Sequence, residues 1–114
     1  MAKISAVINT INEAKKIGRC LASLKGFANE IIVVDMMSTD GTREIAQKYG
    51  ARVFKHKRVG YVEPARNFAI SKAKYEWVII LDADEEIPEG LKVYLKKEIK
   101  DTKHDYFRLP RKNI

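Results

Sequence analysis

The sequence predicts an α/β domain of Rossmann-like α/β/α layering, with a mostly parallel central sheet. Three observations predict it. Ile31-Ile32-Val33-Val34 and the apolar stretch over residues 77–81 are short runs with no polar face, as in strands covered on both sides. Between such runs lie segments whose apolar residues recur at helical spacing, such as Ile17, Leu21 and Leu24. The two kinds of segment alternate through nine elements from end to end, which indicates a parallel sheet with right-handed crossovers and helices on both faces.

In order, residues 3–9 read as a strand ending in the polar turn Asn9-Thr10-Ile11-Asn12, and residues 13–25 as a helix with Asn12 as its N-cap and Gly26 as its stop. Residues 30–35 form the second strand and 36–41 a loop. A short helix over 42–49 follows, capped by Thr39 or Asp40 and stopped by Gly50. Residues 52–55 are a short strand and 57–62 a basic loop. Pro64 opens a helix reaching about residue 74, where its missing N–H costs nothing. Residues 76–81 are a strand and 82–86 an acidic loop. Pro88 opens a helix with Leu91, Leu95 and Ile99 on one stripe. Residues 105–109 are a last strand and 110–114 a tail.

A chain of 114 residues, 46% hydrophobic, is one domain with a real core. Its 32% charged residues are interleaved with apolar runs, which excludes a disordered chain. The single cysteine, Cys20, falls on the apolar stripe of the first helix and reads as a small buried hydrophobe. It rules out an internal disulfide and points to a reducing, cytoplasmic setting. No apolar run approaches the roughly 20 residues of a membrane span. The net charge is +7, and residues 92–114 hold eight basic and three acidic residues. Such an end suits phosphates, anionic lipid headgroups or RNA, or is a solvated helix face with a basic tail.

In an open parallel sheet, ligands bind beyond the carboxyl ends of the strands. Three strands end in polar groups: Asn9, Thr10, Asn12 and Glu13 after the first; Asp35, Ser38, Asp40, Gly41 and Thr42 after the second; Asp82, Asp84, Glu85 and Glu86 after the fourth. Asp82-Ala83-Asp84 offers two hard oxygen donors for magnesium or manganese, or is an acidic turn capping the next helix. Asp35 accepts hydrogen bonds from a ribose or base, or is a turn aspartate. Arg66, beside Asn67 on the first turn of the Pro64 helix, is an anion contact or a solvent-facing arginine. His56 and His104 read as surface residues.

Taken in order, Asn9-Thr10-Ile11-Asn12-Glu13, Ile32-Val33-Val34-Asp35, Ser38-Thr39-Asp40-Gly41-Thr42, Ala65-Arg66-Asn67 and Asp82-Ala83-Asp84-Glu85 closely resemble the family-two glycosyltransferases of GT-A fold. Within them, the chain is most similar to the bacterial lipopolysaccharide core enzymes. The resemblance implies a nucleotide-diphosphate sugar donor, UDP-linked by preference, bound with a divalent metal, Mg or Mn. It implies that Thr10, Glu13 and Asp35 contact the nucleoside, that Arg66 lies near the nucleotide or phosphates, that Asp82 faces the ribose or sugar, and that Asp84 holds the metal. It implies inverting transfer to a lipid-linked or saccharide acceptor, at or near the inner face of a membrane.

Ile11 stands where an aromatic is frequent in that family, and Met36-Met37 where small or polar residues are. The family's general base lies in the acceptor half, beyond the Asp-x-Asp segment. The expectation is therefore that residues 1–114 are the donor domain alone. The alternative is a non-catalytic nucleotide-sugar-binding module acting with a partner chain, and an apolar edge exposed by truncation would favour self-association. A nucleotidyltransferase would want a Gly-rich basic loop after the first strand, and a receiver domain acidic residues there. Nucleic acid is disfavoured by the acidic cluster at the expected cleft.

Overall fold

The computed structural model describes residues 3–57, 68–75, 77–101 and 106–108, with side chains as far as residue 97. Five strands form one sheet: β1 (Ile4–Thr10), β2 (Glu30–Asp35), β3 (Arg52–Lys55), β4 (Trp77–Asp82) and β5 (Tyr106–Arg108). Their order is β3-β2-β1-β4-β5 and every pairing is parallel, so the expected mostly parallel sheet is wholly so here. Successive strands step outward from β1 to β3, and the chain then returns to the far side of β1 to lay down β4. The reversal leaves a crevice between β1 and β4 at their carboxyl ends, the position where open sheets of this kind hold ligands.

The helices α1 (Ile17–Leu24), α2 (Thr42–Lys48) and α3 (Glu89–Asp101) are described, together with a helical segment over residues 68–71. The predicted helix over 13–25 starts four residues late. Residues 14–16 are turns, and Lys16, not Asn12, occupies the N-cap. Asn12 instead sits at φ 50° in the left-handed region that asparagine tolerates, and its side chain is used elsewhere. Gly26 and Gly50 both adopt positive φ where α1 and α2 end, as expected of helix-stopping glycines. Of the helix expected from Pro64 to about 74, residues 68–71 are helical and the helix ends before 74; Pro64 lies outside the described residues.

The strands are apolar on both faces because both faces are covered. On one, Ile4, Ala6 and Ile8 of β1, Val33 of β2 and Ile79 and Leu81 of β4 pack against Ile17, Cys20, Leu21 and Leu24 of α1, Ala46 of α2 and Leu95 of α3. On the other, Val7, Ile32, Val34, Val78 and Ile80 pack against Met36 and Ala69, bordered by Ile11, Phe54, Phe68 and Ile70. Cys20 is buried among these aliphatic side chains. His56, expected at the surface, is half-buried with its ring 5.3 Å from that of Phe68; His104 lies outside the described residues. Among the described residues, no helix is long and apolar enough to cross a membrane.

The alternation of side chains along each strand sorts the polar ends by face. Thr10 follows Ile8 and Asp35 follows Val33, so this register-paired couple lies on the α1 side. Asn9 follows Val7 and Asp82 follows Ile80, so this second register-paired couple lies on the opposite face.

Candidate functional site

The loops after β1 and β2 are joined by side chains from both. Asp35 is fully buried, and a carboxylate there requires partners. Its Oδ2 accepts from the Ser38 N–H at 2.9 Å and from Arg43 Nη1 at 3.0 Å, while its Oδ1 accepts from the Ser38 hydroxyl. The Ser38 oxygen in turn accepts from the Asn12 N–H at 2.8 Å, and Asn12 Oδ1 accepts from the Thr39 N–H at 2.7 Å. Asp40 accepts from the N–H of Thr42 at 3.0 Å, from the Thr42 hydroxyl, and from the Ala14 N–H at 3.2 Å. The Thr42 hydroxyl leads the interactions that hold the Asp40 carboxyl below the usual carboxylate range. The Thr42 oxygen also accepts from the Glu13 N–H at 3.0 Å. Ser38, Asp40 and Thr42 thus position the first loop as well as their own, with Asp40 serving α2 from one residue outside its N-cap, Gly41.

The turn after β4 is fixed to α1. Glu85 Oε1 accepts from the Asp82 N–H at 2.6 Å, and the Glu85 N–H donates to the Asp82 carbonyl at 3.0 Å. The Cys20 thiol lies 3.7 Å from that same carbonyl, and Ser23 Oγ accepts from the Ile87 N–H at 3.0 Å. Ala83 is buried, which turns the flanking Asp82 and Asp84 outward from the core, and Asp84 is exposed. Burial, reinforced by the carboxylates of Glu85, Asp84, Asp82 and Glu86, pushes the Cys20 thiol up to about 12. It is therefore un-ionised at neutral pH and serves as packing and a weak donor.

Asp84 and Glu86 share a cavity of about 340 Å³ with Lys15, Lys16 and Arg19 from the start of α1 and the turn before it. A larger cavity of about 550 Å³, beside Lys25, Asn29, Glu30 and Tyr49, opens at the amino end of β2, away from the carboxyl ends of the strands. The chemistry favours the smaller one.

Of the residues singled out in the sequence, Thr10, Asp35 and Asp82 end β1, β2 and β4 at one edge of the sheet, Thr10 beside Asp35 on one face and Asp82 on the other, and Asp84 follows on the turn after β4. Glu13 sits on the adjoining loop, half-buried. Arg66 lies outside the described residues. Asn9 had been noted only as a polar strand end. It is 6% exposed, and both its Oδ1 and its Nδ2 are buried without a hydrogen-bond partner among the described residues. The Thr10 hydroxyl, on the opposite face, is also buried and unpartnered. A polar residue ending an otherwise apolar central strand was the available signal; that it goes unsatisfied is visible only in three dimensions.

Among the described residues, no three His, Cys, Asp or Glu side chains converge on one point as a preformed metal cage. The donors at the strand edge are carboxylate oxygens. They fit a hard divalent ion that takes one or two protein carboxylates and completes its shell with phosphate and water.

Comparison with known proteins settles the kinship. A model of glycosyl transferase family 2 matches residues 5–112. The chain belongs to this family. An uncharacterized glycosyltransferase of Rickettsia felis is 45% identical over 91 residues, covering 80% of this chain and 32% of the relative. The lipopolysaccharide core biosynthesis glycosyltransferase LpsC of Rhizobium meliloti is 34% identical over 97 residues, 81% of this chain and 35% of its own. Among solved family 2-like folds, S. aureus TarS 1–349 superposes with a TM-score of 0.73 at 32% identity, over 86% of this chain and 31% of that one. Glucosyl-3-phosphoglycerate synthase from Mycobacterium tuberculosis, in complex with Mn2+, uridine diphosphate and phosphoglyceric acid, gives 0.64 at 27% identity, over 83% and 37%. The chain spans about a third of the length of these relatives.

Proposed function

We propose that this chain is the donor-binding part of an inverting glycosyltransferase, which binds a nucleotide-diphosphate sugar at the carboxyl edge of β1, β2 and β4. The observation that supports this reading is that Thr10, Asp35 and Asp82 end adjacent parallel strands, with Asp84 just beyond, at the edge where strand order reverses. In this reading the nucleoside lies against Thr10, Asp35 and the Glu13 loop, and Asp82 meets a hydroxyl of the ribose or sugar. Asp35 does its part through rigidity: three internal hydrogen bonds fix it and Ser38, so the pocket wall is set before ligand arrives. Arg66 supplies positive charge toward the phosphates. Asp84, with the turn held by Glu85 and α1, would hold Mg or Mn, which neutralises charge on the departing diphosphate. Similarity to a lipopolysaccharide core enzyme supports a saccharide or lipid-linked acceptor of the cell envelope, and the basic residues 92–114 would favour an anionic membrane surface.

A second reading, a nucleotide-sugar-binding module that acts with a partner chain, is favoured by Glu85. One oxygen of this carboxylate beside the Asp-x-Asp turn is committed to the Asp82 N–H, so it serves the turn and not an acceptor hydroxyl. Sugar transfer by the 114-residue chain would dismiss that reading.

The test is calorimetric titration of uridine diphosphate with and without manganese, on the wild type and on Asp84→Ala. Manganese-dependent binding that weakens by about a hundredfold or more in Asp84→Ala, with a melting temperature close to the wild type's, is expected. Binding indifferent to both the metal and the substitution would remove Asp84 from the site. If uridine diphosphate fails, the other nucleoside diphosphates are titrated, and a folded chain that binds none of them is no donor domain.

A further inference from the structure

We infer that Asn9 is a ligand contact, its side-chain amide reading a vicinal hydroxyl pair of the bound nucleotide sugar from the position beside Asp82. The inference rests on the donor-site reading above and adds a residue to it.

Buried side-chain amides in folded proteins are almost always hydrogen-bonded, and each buried polar group left unpaired is destabilising. Asn9 leaves both its oxygen and its nitrogen unpaired, so the conclusion does not depend on which way the amide is turned. It does so at the last turn of the central strand, in register with Asp82, on the same sheet face and next to the switch in strand order. On that face the residues flanking it along β1 and β4 are Val7, Val78 and Ile80, and the one other buried polar residue described there on β1, Ser5, is fully hydrogen-bonded. An apolar residue would therefore pack at position 9 at no polar cost, and asparagine there is explicable by something it binds.

The chemistry narrows what that is. A primary amide both donates and accepts within one plane. A carboxylate on the neighbouring strand, about 4.8 Å away, only accepts. Two adjacent hydroxyls, each able to donate and to accept, match this pair: one donates to the amide oxygen while its neighbour accepts from the amide nitrogen, and protons remain for the carboxylate. A nucleotide sugar carries such a pair on its ribose and again on its hexose. The shielding of Asn9 from bulk water makes a hydrogen bond to it stronger than an exposed one.

The test uses Asn9→Leu, which keeps the branched shape and removes both polar atoms. Uridine diphosphate, 2′-deoxyuridine diphosphate and uridine-diphosphate glucose are titrated with manganese into wild type and variant, or the matching series for whichever nucleoside diphosphate the wild type retains. The expected result is a loss of about tenfold in affinity, with a melting temperature equal to or above the wild type's. If the ribose supplies the hydroxyls, uridine diphosphate itself weakens and the preference over its deoxy analogue shrinks. If the hexose supplies them, only uridine-diphosphate glucose weakens. Affinities unchanged for all three overturn the inference and leave the donor site standing. A fall in melting temperature without a fall in affinity also overturns it, since the amide would then be satisfied within the protein. A wild type that binds no nucleoside diphosphate removes the donor site and this inference with it.

Discussion

The two ends of the central strand carry similar residues in opposite states. Ser5, near the start of β1, and Asn9, near its end, lie on the same sheet face and are both buried. Ser5 is fully used: its hydroxyl donates to Glu30 at 2.6 Å and accepts from the Tyr75 N–H at 3.1 Å. Glu30 then gathers the Lys74 N–H at 2.6 Å and Arg52 at 2.8 Å, tying β1, β2, β3 and the approach to β4 into one clamp. Asn29 adds a bond from the Ile4 N–H at 2.8 Å. At the carboxyl end the Asn9 amide and the Thr10 hydroxyl have no hydrogen-bond partner among the described residues. Polar groups at the amino end are spent on holding the sheet together, and those at the carboxyl end are kept for something else. A fold can leave buried polar groups unpaired at one edge when the rest of the sheet is secured.

If that contrast is right, substitutions at the two ends should separate stability from binding. The largest stability effect is expected at the amino end. Glu30→Ala removes a side chain only 8% exposed and leaves the Ser5 hydroxyl, the Lys74 N–H and part of Arg52 unpaired. It should cost about 2–4 kcal/mol in denaturant unfolding while leaving nucleotide affinity nearly unchanged. The clamp also has a pH signature. Burial pulls the Glu30 carboxyl up, but the Ser5 hydroxyl, the Lys74 N–H and Arg52 together outweigh it and hold the carboxyl below its ordinary 4.5. A carboxyl lowered in the folded state stabilises fully above its unfolded value, and that contribution disappears as pH falls through the folded one. Stability measured from pH 6 downward should therefore drop below about 4.5, and Glu30→Gln should flatten that part of the drop. A wild type and variant with parallel profiles would break the comparison at this end.

At the carboxyl end the signs reverse. Thr10→Val removes an unpaired buried hydroxyl and keeps its shape, so the melting temperature should hold or rise while uridine diphosphate affinity falls by about fivefold. Lost stability with unchanged affinity would place Thr10 among the structural groups. The smallest effect concerns Cys20. Buried, with its thiol pushed up to about 12, it should resist alkylation by iodoacetamide at pH 8 in the folded protein and react only on unfolding. Ready labelling of the native chain would mean that the packing of α1 against the Asp82 turn is looser than the structure has it.

Much of the architecture was legible beforehand because it rests on local rules. The runs at Ile31–Val34 and over 77–81 could be nothing but covered strands, and Gly26 and Gly50 stop their helices by conformational freedom alone. The boundaries that went astray depend on long-range bonds. Asn12 reads as a helix cap from its neighbours, yet Ser38 and Thr39, far along the chain, draw it into a left-handed turn and delay α1 to Ile17. His56 reads as a surface residue, and it is half-buried because its ring lies against that of Phe68.

The site divides the same way. Residue order alone marked Thr10, Asp35, Asp82 and Asp84 and tied them to a family, because strand-end carboxylates are visible in a linear pattern. Register was decided by the tertiary structure. It set Thr10 against Asp35 on one face and Asn9 against Asp82 on the other, and it sent the Asp35 carboxylate to Ser38 and Arg43. Whether a buried polar atom is satisfied depends on which distant groups arrive beside it. That is why Ser5 and Asn9, alike on the page, part company only once the chain has folded.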